Sequence, residues 1–66
     1  MQTYIAENGK KKVVIGYDIH SEKYRASYIQ IYNNGIEMEE QLLEMRSYNT
    51  LNGAKKWALK ILGINS

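Results

Sequence analysis

The chain has 66 residues, a formal net charge of +2 and no cysteine. This length allows one domain, residues 1–66. It is close to the lower limit at which a hydrophobic core stabilises a fold without disulfides, metals or oligomerisation. Because cysteine is absent, disulfides, zinc ribbons and thiol catalysis are excluded. No apolar run is long enough to span a bilayer, and the first residues lack the basic and then apolar order of a signal peptide, so we expect a cytoplasmic protein.

The charge is sorted along the chain. Residues 10–32 carry five basic and two acidic side chains, residues 33–48 carry four glutamates and one arginine, and residues 49–66 carry three lysines. Separate patches of both signs suit electrostatic matching to a specific partner. The same pattern also fits an ordinary solvated surface. A dedicated nucleic-acid binder would be more basic than this chain.

The first third of the chain predicts two strands joined by a turn. Residues 3–6 are β-prone, and Asn8-Gly9 after them favours a type I′ turn, in which both central residues need positive φ. Residues 11–19 alternate between apolar and other side chains, which is typical of a strand with one apolar face. The polar residues 20–22 predict the next turn.

Residues 23–32 predict a third strand with large apolar groups on both faces, which indicates a central position in the sheet. Asn33-Asn34-Gly35 predicts a hairpin turn. Residues 36–48 are ambiguous, because their composition favours a helix whereas their place after a hairpin turn favours a strand. As a strand, this segment needs a bulge near Glu40, since its apolar residues change phase there.

The last element is predicted to be a helix. Asn49 or Thr50 can provide the N-cap, and Gly63 suits the left-handed residue after the helix. Between them runs an apolar stripe at helical spacing, in which Trp57 is interpreted as a core residue. The stripe consists of Leu51, Ala54, Trp57, Ala58, Ile61 and Leu62. The predicted fold is therefore α+β, a three- to four-stranded antiparallel meander sheet with one C-terminal helix packed on one face.

The sequence contains no pattern typical of catalysis or metal binding. Asp18 and His20 would share a side on a strand, but a stable metal site needs a second cluster, and the chain has no other histidine and no cysteine. No glycine-rich phosphate loop is present. Paired glutamates would need a cleft that a sheet with one helix has little room to form. We expect a non-enzymatic protein without catalytic residues, metal or cofactor.

A row of tyrosines is the strongest candidate for a partner-binding site. Tyr24, Tyr28 and Tyr32 are four residues apart and so face the same way in a strand. The helix can cover only one face of a strand that is apolar on both, so some of these groups must stay exposed or meet a partner. We expect the row, with Glu37 and Glu39 beside it, to bind a protein partner. A structural tyrosine ladder is the alternative.

A basic set offers a second candidate surface. Lys10, Lys11 and Lys12 lie at the tip of the predicted first hairpin, and Arg25 lies on the third strand. These residues could contact a nucleic-acid backbone or an acidic partner. Alternatively, lysines beside an edge strand deter edge-to-edge pairing.

Three segments are similar to AP2 domains and to the arm-binding domains of phage integrases. They are the strand Lys-Tyr-Arg-Ala-Ser-Tyr-Ile at residues 23–29, the turn Asn34-Gly35, and residues 47–50 leading into Ala-Lys-Lys-Trp-Ala at residues 54–58. This resemblance covers the C-terminal two-thirds of the chain and implies a sheet face that enters the DNA major groove. The strand after Asn34-Gly35 is acidic, however, where a DNA-facing sheet would be basic or neutral. In size and in Lys, Asn, Ile and Tyr content, the chain also resembles small phage accessory proteins, including anti-CRISPR and other anti-defence proteins.

Three functional hypotheses follow, in order of preference. The first is a phage or mobile-element binding protein that blocks or modulates a larger host protein or nucleoprotein machine. The second is a small DNA-binding domain that uses the exposed sheet face. The third is a homodimer with a structural role. No membrane partner is expected.

Overall fold

A computed structural model describes residues 1–33 and 35–63. Its elements are β1 (Gln2–Ile5), β2 (Lys11–Asp18), β3 (Lys23–Asn33), β4 (Met38–Tyr48) and α1 (Leu51–Leu62). The strands form one antiparallel sheet in the order β1-β2-β3-β4. The predicted α+β meander is confirmed, and residues 38–48 form a strand, not a helix. Within the described residues, no helix combines the length and apolar character needed to cross a membrane.

The loop between β1 and β2 is not the predicted type I′ turn. The Gly9 N–H donates to the Ala6 carbonyl at 2.9 Å, and the Ala6 N–H donates to the Lys11 carbonyl at 2.9 Å. Gly9 has a φ of +69°, whereas Asn8 has no positive φ. The Asn8 side chain instead accepts a hydrogen bond from the Lys10 N–H at 2.9 Å. Because the loop is longer than two residues, it requires positive φ only at the glycine.

The two turns around β3 follow the prediction where the structure describes them. Residues 20–22 form a turn, in which Glu22 has a φ of +56°. β3 and β4 pair as an antiparallel hairpin, and Gly35 between them has a φ of +91°. Glycine adopts this left-handed backbone without the steric cost that a Cβ would impose. Asn34, which belongs to the predicted turn, lies outside the described residues.

β4 contains the expected bulge, at a different residue. Tyr28 faces Glu44 and Ile29 faces Leu42, so Leu43 is the extra residue on β4. The bulge lies closer to the C-terminus than the predicted position near Glu40. Because the extra residue shifts the phase of the strand, side chains on its two sides can share one face of the sheet.

The helix has a well-formed cap at each end. Thr50, rather than Asn49, is the N-cap, and its Oγ1 accepts the Gly53 N–H at 3.1 Å. Gly63 adopts a φ of +71°, and its N–H donates to the carbonyls of the last helical turn. β4 ends at Tyr48, so the chain passes from strand to helix within two residues and must lay α1 directly on the sheet.

The core lies between α1 and one face of the sheet. Its buried residues are Val13, Ile15, Ala26, Ala54 and Ala58. The alanines of β3 and α1 allow the helix to approach the sheet closely. Since only Val13 and Ile15 are large and fully buried, the core is thin and depends on half-buried groups at its edge. These are Tyr4, Tyr24, Tyr28, Tyr48, Leu51, Trp57, Ile61 and Leu62.

Trp57 belongs to this edge of the core, as the sequence predicts. Its ring centre lies 6.4 Å from that of Tyr28 and 6.2 Å from that of Tyr48. The guanidinium of Arg46 lies 5.4 Å from the centre of the Trp57 ring. Arg46 is also hydrogen-bonded to Glu44, which raises the pKa of the Arg46 guanidinium above its ordinary value.

Candidate binding surface on the open sheet face

The tyrosine row lies on the side of the sheet that the helix covers. Tyr24 and Tyr28 pack against the core, and Tyr28 meets Trp57 edge to face. Tyr24 and Tyr28 therefore do not stand on the open face of the sheet. The reason is Ala26, which is fully buried between them in β3. It is the small side chain over which the helix packs, so the neighbouring tyrosines form the wall of the core.

The other predicted partner-binding residues lie near the tip of the β3–β4 hairpin. Tyr32 is 42% exposed, and its hydroxyl donates to Gln41 Oε1 at 2.8 Å. Glu39 faces Tyr32 across the ladder, and Glu37 is exposed just before β4. The five predicted residues are thus divided between the core and the hairpin tip, and they do not form one continuous surface.

The lysine run does not form one basic patch. Lys10 is exposed in the loop before β2. The Lys11 Nζ lies 5.9 Å from the centre of the Tyr28 ring, on the helix side of the sheet. Lys12 points to the opposite side and forms an ion pair with Glu40 at 2.6 Å. Strand alternation separates the two neighbours, so they cannot bind one ligand from one face.

The open face of the sheet, opposite the helix, carries a band of apolar side chains. No described element packs on this face. Leu42 is 51% exposed and Met45 is 47% exposed, and the Leu43 bulge places both on this side. The apolar band consists of Ile5, Val14, Ile29, Ile31, Met38, Leu42 and Met45.

The ion pair of Lys12 and Glu40 crosses the apolar band. Lys12 is opposite Ile29 and Glu40 is opposite Ile31, so the pair spans β3 diagonally. The Lys12 side chain is only 20% exposed, which means that its aliphatic stem lies on the sheet. The pair neutralises its own charge and leaves the middle of the face predominantly apolar.

The polar end of the open face is a shallow concavity of about 510 Å3. Arg25 donates to Asp18 across it at 2.9 Å. The hydrogen bond from the His20 backbone N–H, 3.0 Å long, is the main cause that lowers the pKa of the Asp18 carboxyl, with Arg25 as a smaller cause. The concavity is lined by Val14, Gly16, Tyr17, Asp18, His20, Arg25 and Ser27.

The predicted relation between Asp18 and His20 is changed by the structure. His20 lies in the turn after β2, and Asp18 accepts its backbone N–H rather than sharing a strand face with its imidazole. Among residues 1–33 and 35–63, no three His, Cys, Asp or Glu side chains are grouped so that they could hold a metal. The chemistry available on this face is therefore apolar contact and hydrogen bonding around a neutralised pair of charges.

The sequence predicts an open sheet face but does not identify the side chains on it, because the tyrosines were given the most weight. The residues that mark the two sides are Ala26 and Gly16. A small apolar residue between two aromatic ones indicates where a helix packs, and a glycine inside a strand indicates where something approaches the backbone closely. Both signals are in the sequence. Because β3 is apolar on both sides, neither signal alone indicates which face of the sheet the helix covers.

Comparison with protein-family models, with curated proteins and with solved structures gives no significant match to this chain. The resemblances to AP2-type domains and to phage accessory proteins therefore stay predictions.

Proposed function

We propose that this chain is a small non-enzymatic binding protein that blocks or modulates a larger host protein or nucleoprotein machine by docking its open sheet face on it. The observation that supports this most strongly is the apolar band, which lies uncovered by any described element. Contiguous apolar patches of more than a few hundred Å2 are rare on proteins that work alone. The centres of protein interfaces are depleted in charge, and the apolar band of this face is crossed by one ion pair, Lys12–Glu40, in which the two charges neutralise each other.

The size of the face defines the kind of contact. The strands have 4, 8, 11 and 11 residues. At about 3.3 Å per residue and 4.8 Å between strands, the face covers on the order of 500 Å2. A standard interface buries about 800 Å2 on each partner. Docking would therefore use the whole face with its adjoining loops, not one anchor residue.

Action in the cytoplasm of a phage host is part of this proposal. It rests on the small size and on the residue content that the chain shares with phage accessory proteins. Covering a site on a larger protein requires only a surface of the right shape and polarity. The open face offers such a surface, and a 66-residue chain can supply it without any reacting group.

A homodimer through the same face is the second candidate. The observation that favours it is the thin core, in which Val13 and Ile15 are the only large side chains below 2% exposure among the described residues. Domains of this size often need association for stability. DNA binding receives less support, because Lys12 and Arg25, the basic groups of β2 and β3 that form ion pairs on this face, are each bound to a carboxylate.

The test is a capture experiment with matched variants. Leu42→Lys places a charge in the apolar band, whereas Asn52→Lys adds the same charge on the exposed surface of the helix. Tagged wild type and both variants are incubated with a lysate of the host cells, with and without nuclease, and recovered proteins are quantified by mass spectrometry. We expect one protein to be enriched by wild type and Asn52→Lys, and lost with Leu42→Lys.

Three results would contradict the proposal. Equal recovery by all three proteins would mean that the open face is not the contact surface. Recovery that disappears after nuclease treatment would favour nucleic acid. A wild type that captures nothing and sediments as a dimer, while Leu42→Lys sediments as a monomer, would favour the homodimer.

A further inference from the structure

Gly16 has no role in the fold that requires glycine. It lies in the interior of β2, with its Cα opposite that of Arg25. Its φ is not positive, and a Cβ built on it would meet no atom within 4 Å. Glycine inside a strand weakens the strand, because it has more freedom to lose and no side chain to pack. The missing side chain instead opens the floor of the concavity at the polar end of the open face.

The concavity around Gly16 has an apolar floor and a planar cationic wall. Val14 and Gly16 form part of the floor, and the Arg25 side chain, which is 50% exposed, stands beside them. One guanidinium nitrogen of Arg25 is bound to Asp18. A guanidinium has five N–H donors and a flat face on which rings stack. The Asp18 interaction holds one end of this group near the glycine, which lies opposite Arg25 in the ladder.

We propose that the concavity over Gly16 receives an aromatic side chain of a partner protein, which lies on the Gly16 backbone and stacks on the Arg25 guanidinium. This inference rests on the proposed function and specifies its anchor point. A glycine in a sheet leaves an uncovered strip of backbone that an aromatic ring is well shaped to cover. Tyr17 lines the concavity, but its ring packs against that of Tyr24, with the ring centres 5.0 Å apart, and Tyr24 lies on the helix side of the sheet.

A nucleic-acid base would be the other flat occupant, and the surface does not favour it. Proteins that bind single strands combine aromatic platforms with a positively charged groove that follows the backbone. Here Arg25 is paired with Asp18, and Lys12, on the same face, is paired with Glu40. A face whose cations Lys12 and Arg25 are each paired with a carboxylate, beside an apolar band, suits a protein surface better than a phosphate backbone.

The experiment uses small probes and the full chain labelled with ¹⁵N. N-acetyl-L-tyrosine amide is titrated while backbone amide resonances are followed, with N-acetyl-L-leucine amide and uridine 5′-monophosphate as comparison probes. We expect saturable shifts at Gly16, Arg25 and Ser27 with the tyrosine amide. The leucine amide should bind about five-fold more weakly, the order of a cation–π contact at an exposed site.

Two variants test the site, and one serves as control. Gly16→Val places a side chain in the concavity, and its Cβ meets no atom within 4 Å, so it should stay folded, melt at a higher temperature and lose the saturable shifts. Arg25→Lys keeps the charge but removes the flat face, so it should weaken the probe about three- to five-fold. Asn52→Lys, on the exposed surface of the helix, should leave probe binding unchanged.

Each adverse outcome has a definite meaning. The inference is overturned if the tyrosine amide gives no saturable shift, if the leucine amide binds as well, or if Gly16→Val binds like wild type. If uridine 5′-monophosphate binds more tightly than the tyrosine amide, the occupant of the concavity is a nucleic-acid base rather than a protein side chain. If Leu42→Lys loses the captured partner while the tyrosine amide does not bind, only the anchor at Gly16 fails. If the probe binds but Leu42→Lys captures the partner normally, the proposed docking surface fails instead.

Discussion

Replacing Trp57 with alanine should remove much of the stability of this domain. Truncation of a fully buried Phe or Trp costs about 3–5 kcal/mol. Trp57 is half-buried, and it loses contact with two tyrosine rings at 6.4 and 6.2 Å and with the Arg46 guanidinium at 5.4 Å. We therefore expect the lower end of that range, about 3 kcal/mol. At about 0.05–0.15 kcal/mol per residue, a chain of this length has a total of roughly 3–10 kcal/mol, so the loss takes between a third of it and all of it.

Urea unfolding followed by far-ultraviolet circular dichroism measures this loss. With a denaturant slope near 1 kcal/mol/M for so small a protein, the midpoint should fall by about 3 M, or the variant should be unfolded without denaturant. Trp57→Phe is the control, because it retains an aromatic ring and should cost about 1 kcal/mol. If Trp57→Ala shifts the midpoint no more than Trp57→Phe does, the packing of the helix on the sheet described above is wrong.

Three further predictions concern the caps and one carboxylate. Thr50→Ala removes the acceptor of the Gly53 N–H and should lower the free energy of unfolding by about 1 kcal/mol. Thr50→Ser keeps a hydroxyl acceptor and should leave the free energy of unfolding unchanged. An equal loss in both variants would show that the Thr50 hydroxyl does not cap the helix. Gly63→Ala imposes a φ of +71° on a residue with a Cβ and should cost about 1 kcal/mol in the same assay, and a neutral effect would contradict that backbone geometry. The pKa of Asp18 is held below 3.8, first by the His20 backbone N–H, so its ionised form stabilises the fold at neutral pH and this contribution is lost as pH falls through the lowered value. The gap in urea midpoint between wild type and Asp18→Asn should therefore be constant above about pH 5 and shrink below about pH 4, and a gap that widens in acid would refute the assignment.

Local sequence signals account for most of the fold. Alternation over residues 11–18 predicts β2, and the spacing of the stripe from Leu51 to Leu62 predicts the side of α1 that packs on the sheet. Thr50 and Gly63 mark the ends of the helix, because their preferences act within a single turn of backbone. The strand at Met38–Tyr48 is harder to predict, since its glutamates and leucines favour a helix and only pairing with β3 overrides that preference.

The choice of sheet face depends on contacts between residues that are distant in the chain. β3 is apolar on both sides, and the alanines of α1 pack over Ala26, so Tyr24 and Tyr28 become part of the core. Lys12 finds Glu40, which is 28 residues away, across an intervening strand. Local preferences act over one turn or one strand, so they specify the elements. Packing of the helix on one of two similar faces, together with the phase shift at Leu43, decides which side chains are left open to a partner.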